Sequence, residues 1–165
     1  MVKNPLIIRT ADICDGHRDS ARVCELNFVD YAARSHFHGH VETISTYESN
    51  LEIRGVIAAG GKGKVLIVDG RGSLRTALCG GNIAAEALAF EWEGLIFNGA
   101  IRDSHEFKSL DFGVKALGAT AMPPANKTTG VVGIPINFGN ITIKRGDYVY
   151  ADQDCVILLD NAAHD

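Results

Sequence analysis

The apolar positions of the chain fall into short unbroken runs separated by glycine-rich breaks, with helical spacing between them. Val65-Leu66-Ile67-Val68 and Leu95-Ile96-Phe97 are uninterrupted, the pattern of strands buried on both faces. Over 50–59 the spacing changes: Ile53, Val56 and Ile57 share a helical face, and Gly60-Gly61-Lys62-Gly63 ends the element. Gly81-Asn82 opens an Ala-rich segment over 83–92, with Ile83, Ala87 and Phe90 at helical intervals. Thr10 is placed to cap a short helix over 11–15, and Ser104 to cap another over 104–110. Residues 41–47 alternate apolar and polar with β-branched enrichment, predicting a strand with one buried face. Later, 114–117 extend a sheet, 134–137 and 141–143 pair about Phe138-Gly139-Asn140, and 148–150 and 156–159 supply two more strands. Strand–helix units come first and strands last. The order predicts an α/β fold with a mixed sheet or two sheets rather than a pure doubly wound one.

Composition narrows the class. With 46% hydrophobic and 22% charged residues, a 165-residue chain can bury a full core without disulfides or a structural metal. No repeat, low-complexity tract or linker divides it, so residues 1–165 are expected to form one domain. A net charge of −4, with no block of like charges, offers no footprint for a phosphate backbone, so nucleic acid is not expected as a direct partner. No apolar run reaches the ~18 residues of a membrane span, and residues 1–5 carry no leader pattern. No membrane partner is expected, and a cytoplasmic location is. Cys14, Cys24, Cys79 and Cys155 lack CxxC spacing and read as small core residues. The 18 glycines must either make turns or let backbone approach a ligand.

Four constellations could carry chemistry. Gly80-Gly81-Asn82-Ile83 precedes the Ala-rich helix, whose free N–H groups would bind a carboxylate or phosphate; the alternative is a plain turn. Arg102-Asp103 follows a buried strand, where ligand sites of open α/β folds gather, and Glu106 is three residues on, on the same side of a helix starting by Ser104. Two hard oxygen donors there suit Mg²⁺ or Mn²⁺, and Arg102 offers a planar fork for a carboxylate or enolate oxygen. The alternative is a surface ion pair and a solvated helix face. His36, His38 and His40 share a strand face but have no Cys or carboxylate at ligand spacing, and read as a solvated polar face rather than a Zn²⁺ site. Asp69-Gly70-Arg71-Gly72 after a strand imitates a dinucleotide loop, but Arg75 stands at the third glycine position.

Taken together, Val65-Leu66-Ile67-Val68-Asp69-Gly70-Arg71-Gly72-Ser73, Glu91-Trp92-Glu93-Gly94-Leu95-Ile96 and Asn98-Gly99-Ala100-Ile101-Arg102-Asp103 resemble the regulator of ribonuclease activity A family. That family includes class II 4-hydroxy-4-methyl-2-oxoglutarate aldolases and oxaloacetate decarboxylases. The likeness continues through residues 110–116 and 146–152, nearly the whole chain. It implies an α/β fold of the swivelling β/β/α, phosphohistidine-domain-like type and a homotrimer with active sites in clefts between subunits. It does not carry over the menaquinone-pathway methyltransferase label of some relatives, whose chemistry would need a glycine loop absent here. Bacterial aldolases of the family carry an Asp where Gly81 stands, while silent ribonuclease regulators lack the acid after the Arg, present here as Asp103. Gly81, Arg102, Asp103 and Glu106 match a variant in which the second acid compensates for the lost Asp.

The expected activity is therefore a metal-dependent aldolase and decarboxylase of small 2-oxo acids, passing through a metal-stabilised pyruvate enolate. Asp103 and Glu106 would hold the metal, Arg102 would stabilise the developing oxyanion, and the backbone of Gly80, Gly81, Asn82 and Ile83, with Arg102, would bind substrate. The rival expectation is a non-catalytic regulator that binds an RNA-degrading enzyme or helicase.

Overall fold

A computed structural model of the chain describes residues 7–125 and 127–164, so residues 1–5, inspected above for a leader, lie outside the described residues. A short helix, α1 (Thr10–Gly16), precedes the two-residue strands β1 (Arg22–Val23) and β2 (Val29–Asp30). Then come β3 (Phe37–Ser45), α2 (Leu51–Ala58), β4 (Lys64–Asp69), β5 (Ala77–Cys79), α3 (Gly81–Ala89), β6 (Gly94–Ile101), α4 (Ser104–Phe107) and β7 (Gly113–Ala119). β8 (Val131–Val132), β9 (Ile136–Phe138), β10 (Ile141–Ile143), β11 (Tyr148–Ala151) and β12 (Val156–Leu159) complete the described chain.

Ten strands form one mixed sheet in the order β1-β12-β11-β3-β4-β6-β7-β2, with β5 added to β6 and β8 to β3; β9 and β10 make a separate hairpin. The strands β3, β4, β6 and β7 run parallel, and the antiparallel β11, β12 and β1 extend the sheet as a wing. Helices α2 and α3 cover one face, placing Ile53, Ile57, Ile83 and Ala87 against Leu66, Val68, Leu95 and Phe97. On the other face Val65, Ile67 and Ile96 lie with Ile136 and Ile143 of the hairpin. Both faces are dry, which is why β4 and β6 read as unbroken apolar runs. Each such fully buried Ile or Leu contributes roughly 1.5–3 kcal/mol. Gly94 and Gly113 stand side by side at the starts of β6 and β7, where any Cβ would run into the Phe37 ring.

Several expectations need correction. Thr10 is the first residue of α1 rather than its cap, because its hydroxyl is drawn to Asp152 at 2.9 Å, 142 residues away. Ser104 likewise lies inside α4, with Asp103 at the capping position, and that helix ends at Phe107. α3 stops at Ala89; Phe90 is 42% exposed, and Trp92 enters the core instead, donating its ring N–H to the Ile57 carbonyl at 3.1 Å. β3 begins at Phe37, so two of the three histidines belong to it. The hairpin turn is Gly139 and Asn140 alone, both at positive φ (59° and 61°), the two-residue turn that suits a twisted hairpin. All four cysteines are free thiols. Among the described residues no helix is long and apolar enough to cross a membrane.

Candidate functional site

Two neighbouring strand ends build the site. β5 pairs with β6 so that Cys79 lies opposite Ile101, and the Arg102 N–H donates to the Cys79 carbonyl at 2.9 Å. Beyond β5, Gly80 takes the capping position of α3; beyond β6 come Arg102 and Asp103. Asp103 adopts a left-handed conformation (φ 56°, ψ 39°), one that Asp tolerates better than most residues, and its side chain does not cap α4. That sharp turn lets the one-turn helix α4 carry Glu106 back toward the start of α3.

The two acids then lie over the two glycines. A Cβ on Gly80 would sit 2.9 Å from Asp103 Oδ2 and 3.5 Å from Arg102 Nε, and a Cβ on Gly81 would collide with the Glu106 carboxylate. Glycine at both positions is thus a condition for this approach rather than a consequence of chain turning. Arg102 Nε is 3.8 Å from Asp103 Oδ2, and His105 Nε2 is 3.8 Å from Glu106 Oε1. The two carboxylates are 43% and 50% exposed, and among the described residues neither accepts a hydrogen bond. The first α3 ladder bond runs from the Ala84 N–H to the Gly80 carbonyl at 3.1 Å, which leaves the N–H groups of Gly81, Asn82 and Ile83 without helical partners. Ile83 anchors this end in the core, while Asn82 is exposed. An open groove of ≈ 410 Å³ runs between Asp103, His105 and Thr120.

The neighbouring groups are chemically quieter. Burial pushes the Cys79 thiol well above the ordinary thiol range, with Asp103 adding to the effect against Arg54, so it is no nucleophile; its Sγ–H points to the Gly80 carbonyl at 3.5 Å. In the loop after β4, the Gly70 and Gly72 N–H groups both donate to the Asn98 carbonyl (3.0 and 3.1 Å). Asp69 Oδ1 accepts from the Arg71 N–H and from Asn98 Nδ2, each at 2.9 Å. Amides satisfied in this way cannot cradle a phosphate, so the dinucleotide-like reading of this loop fails on geometry as well as on motif.

The structure therefore brings Gly80, Gly81, Asn82, Ile83, Arg102, Asp103 and Glu106 to one place. His36, His38 and His40 sit at the opposite, amino-terminal end of the parallel strands. Of the solvated face expected of them only His40 is exposed; His36 and His38 are partly buried. His38 is half-buried, its Nδ1 2.8 Å from the Tyr148 hydroxyl, and its ring packs among Tyr148, Tyr150 and His164. Those neighbours come from β11 and beyond, over 100 residues away, which spacing along β3 could not reveal. Among the described residues no group of three or more His, Cys, Asp or Glu side chains is placed to hold a metal. His105 and Thr120 were not anticipated on the groove. The only signal for His105 was its place between two candidate acids; for Thr120 there was none.

Known proteins resemble this chain over nearly its whole length. A family model described as RraA-like, Aldolase/RraA, matches residues 10–158. A relative from Alkalilimnicola ehrlichii named "Putative 4-hydroxy-4-methyl-2-oxoglutarate aldolase" is 39% identical over 155 residues, covering 94% of this chain and 96% of its own. A Marinomonas protein of the same name is 40% identical over 147 residues, covering 89% and 91%. Among solved structures, the RNA-processing inhibitor RraA from Thermus thermophilis aligns with a TM-score of 0.92 at 34% identity, over 96% of both chains. A Geobacillus kaustophilus structure, described as an S-adenosylmethionine:2-dimethylmenaquinone methyltransferase, gives 0.92 at 35% identity over 94% of this chain and 97% of that one. With a family model spanning most of its length and relatives near 40% identity almost end to end, the chain belongs to the RraA-like, aldolase/RraA family.

Proposed function

We propose that the chain is a divalent-metal-dependent carbon–carbon lyase that releases pyruvate from small 2-oxo acids. Its substrates in this reading are 4-hydroxy-4-methyl-2-oxoglutarate, cleaved by retro-aldol reaction, and oxaloacetate, decarboxylated. The observation that carries the proposal is the pair of carboxylates, Asp103 and Glu106, which accept no hydrogen bond among the described residues and lie over Gly80 and Gly81 beside Arg102.

The donor set fits Mg²⁺ or Mn²⁺. These hard ions are commonly bound by one or two carboxylates with waters and substrate oxygens completing the shell, and both acids here are about half-exposed, each with a neighbouring cationic or imidazole side chain at 3.8 Å. When bound, such an ion supplies Lewis-acid polarisation of the 2-oxo group. The chain's own groups do the rest. Free N–H groups at the start of α3 bind the substrate carboxylate, while the absence of a Cβ at 80 and 81 makes room for the Asp103 and Glu106 side chains beside it. As the carbon–carbon bond breaks, its electrons pass to the 2-oxo oxygen, and the Arg102 guanidinium faces the negative charge that develops there. In retro-aldol cleavage the C4 hydroxyl proton passes to solvent, which decarboxylation does not require, and in both reactions the enolate takes a proton from water at carbon to leave as pyruvate. The working unit in this reading is the homotrimer expected from the family resemblance, in the cytoplasm.

A second reading, regulation of an RNA-degrading enzyme by surface binding, is favoured by the likeness to the Thermus RNA-processing inhibitor. Retention of Asp103 speaks for catalysis. The methyltransferase reading has no support in the Gly70 and Gly72 loop, whose amides are already taken by Asn98. Turnover of both substrates with Mg²⁺, and again after chelation, tests the proposal. Pyruvate that appears with Mg²⁺ and stops with EDTA supports the lyase. A folded protein that releases none, but retains a ribonuclease in a pull-down, supports the regulator.

A further inference from the structure

The amino-terminal half of β3 carries a cluster remote from the candidate site. Cross-strand pairing sets His38 beside Tyr150 and His40 beside Tyr148. Residues 160–164 then fold back over this face. The Tyr150 hydroxyl accepts the Ala163 N–H at 2.8 Å and lies 2.7 Å from His164 Nδ1. His38 Nδ1 is 2.8 Å from the Tyr148 hydroxyl, and the His38 and His164 rings meet edge to face with centroids 4.6 Å apart. Each imidazole thus lies within hydrogen-bond distance of a buried tyrosine hydroxyl at Nδ1. A proton at His38 Nδ1 makes that nitrogen a donor only and charges a half-buried ring that packs edge to face on His164.

We propose that residues 160–164 are a proton-operated latch, closed over Tyr148 and Tyr150 while His38 is neutral and released when His38 takes up a proton. The charges around the pair do not oppose this. On β3 they are His36 and His40, on β11 the two tyrosines, and on the β4 edge Lys64, in register with His40. Glu93 is felt by Tyr148, and the Asp15 carboxylate of α1 by Cys14. The Asp160 carboxylate is engaged by Arg22 at 3.0 Å. Burial, then His164 and His36, push His38 down to about 4. The closed latch therefore resists protonation, and protons favour the open one. By linkage its opening is driven as pH falls from the ordinary 6.5 toward about 4, by up to about tenfold per pH unit for the one proton that His38 takes up.

Hydrogen–deuterium exchange of the full chain between pH 7.5 and 4.5, corrected for the intrinsic rate, tests the latch. Protection at Ala163 should fall at least about tenfold while β4 and β6 stay protected. His38→Asn, which keeps an acceptor near Nδ1 but takes up no proton, should reduce that fall. A flat profile in the wild type overturns the latch, as does a fall unchanged in the variant. Should a variant unfold, which loss of protection in β4 and β6 would reveal, nuclear magnetic resonance of the wild type decides. An Ala163 amide transition coinciding with the titration of the His38 ring supports the latch, and one that does not coincide with it overturns it.

Discussion

Asp103 and Asp152 are both aspartates just past the end of a sheet strand, and they live in opposite surroundings. Asp152, 2% exposed, follows β11 in the antiparallel wing. Its carboxylate accepts the Thr10 N–H at 2.8 Å, the Thr10 hydroxyl at 2.9 Å, and the N–H groups of Asp154 and Cys155 at 2.9 and 3.3 Å. Burial alone would raise it, yet those hydrogen bonds hold it below the ordinary carboxylate value. Asp103, beside α3 at the carboxyl end of β6, is 43% exposed and accepts no hydrogen bond among the described residues. The contrast separates two uses of polarity. Carboxylates satisfied from within fasten the chain to itself; those left unsatisfied beside bare backbone are available to something from outside. Substitutions in the first class should cost stability, and in the second activity.

The sharpest stability effect is expected at Asp30, the counter-charge of Lys115, whose side chain is 3% exposed with Nζ 2.7 Å from Asp30 Oδ1. Asp30→Ala strands a buried ammonium and should lower unfolding free energy by about 3–5 kcal/mol in urea titration. Asp152→Ala comes next. It leaves the Thr10, Asp154 and Cys155 N–H groups unpaired, for a loss of roughly 2–3 kcal/mol by the same titration. Glu106→Ala should instead leave stability within about 0.5 kcal/mol and lower pyruvate release roughly tenfold or more. Because a side chain at 81 and the Glu106 carboxylate compete for one space, adding Gly81→Asp to Glu106→Ala should restore part of that activity, whereas Gly81→Asp alone should not raise it.

The smallest effect is that of pH on the wing, followed by thermal melts. His38 is held neutral in the folded chain, so its contribution is complete above the ordinary 6.5 and is lost as pH falls toward about 4. Asp152, held ionised, contributes above the ordinary 3.8 and is lost below it as its folded form takes up a proton. Melting temperature should therefore decline in two stages on acidification. A single acid step below pH 4 would break the account of the His38 cluster.

Much of this contrast was legible along the chain, though unevenly. Continuous apolar runs gave away β4 and β6 because both sheet faces are covered, and Arg102, Asp103 and Glu106 are close enough in sequence for one strand end and one helical turn to gather them. The approach of Gly80 and Gly81 to those acids is a tertiary fact, created by β5, whose three residues show no alternation to read. Thr10 and Ser104 both looked like caps because a hydroxyl before a helix usually is one. Thr10 found Asp152 instead, and Ser104 yielded to the left-handed Asp103. His38 departs from the solvated face expected of it for the same reason: its neighbours arrive from β11 and from His164.

The central claim is that Asp103 serves an external ligand rather than the fold. Pyruvate release from 4-hydroxy-4-methyl-2-oxoglutarate, compared between wild type with Mg²⁺, wild type with EDTA, and Asp103→Ala with Mg²⁺, tests it most directly. The account predicts turnover in the first and a loss of about 100-fold or more in the other two, with Asp103→Ala melting like the wild type. Equal turnover in all three, or turnover in none, would contradict it.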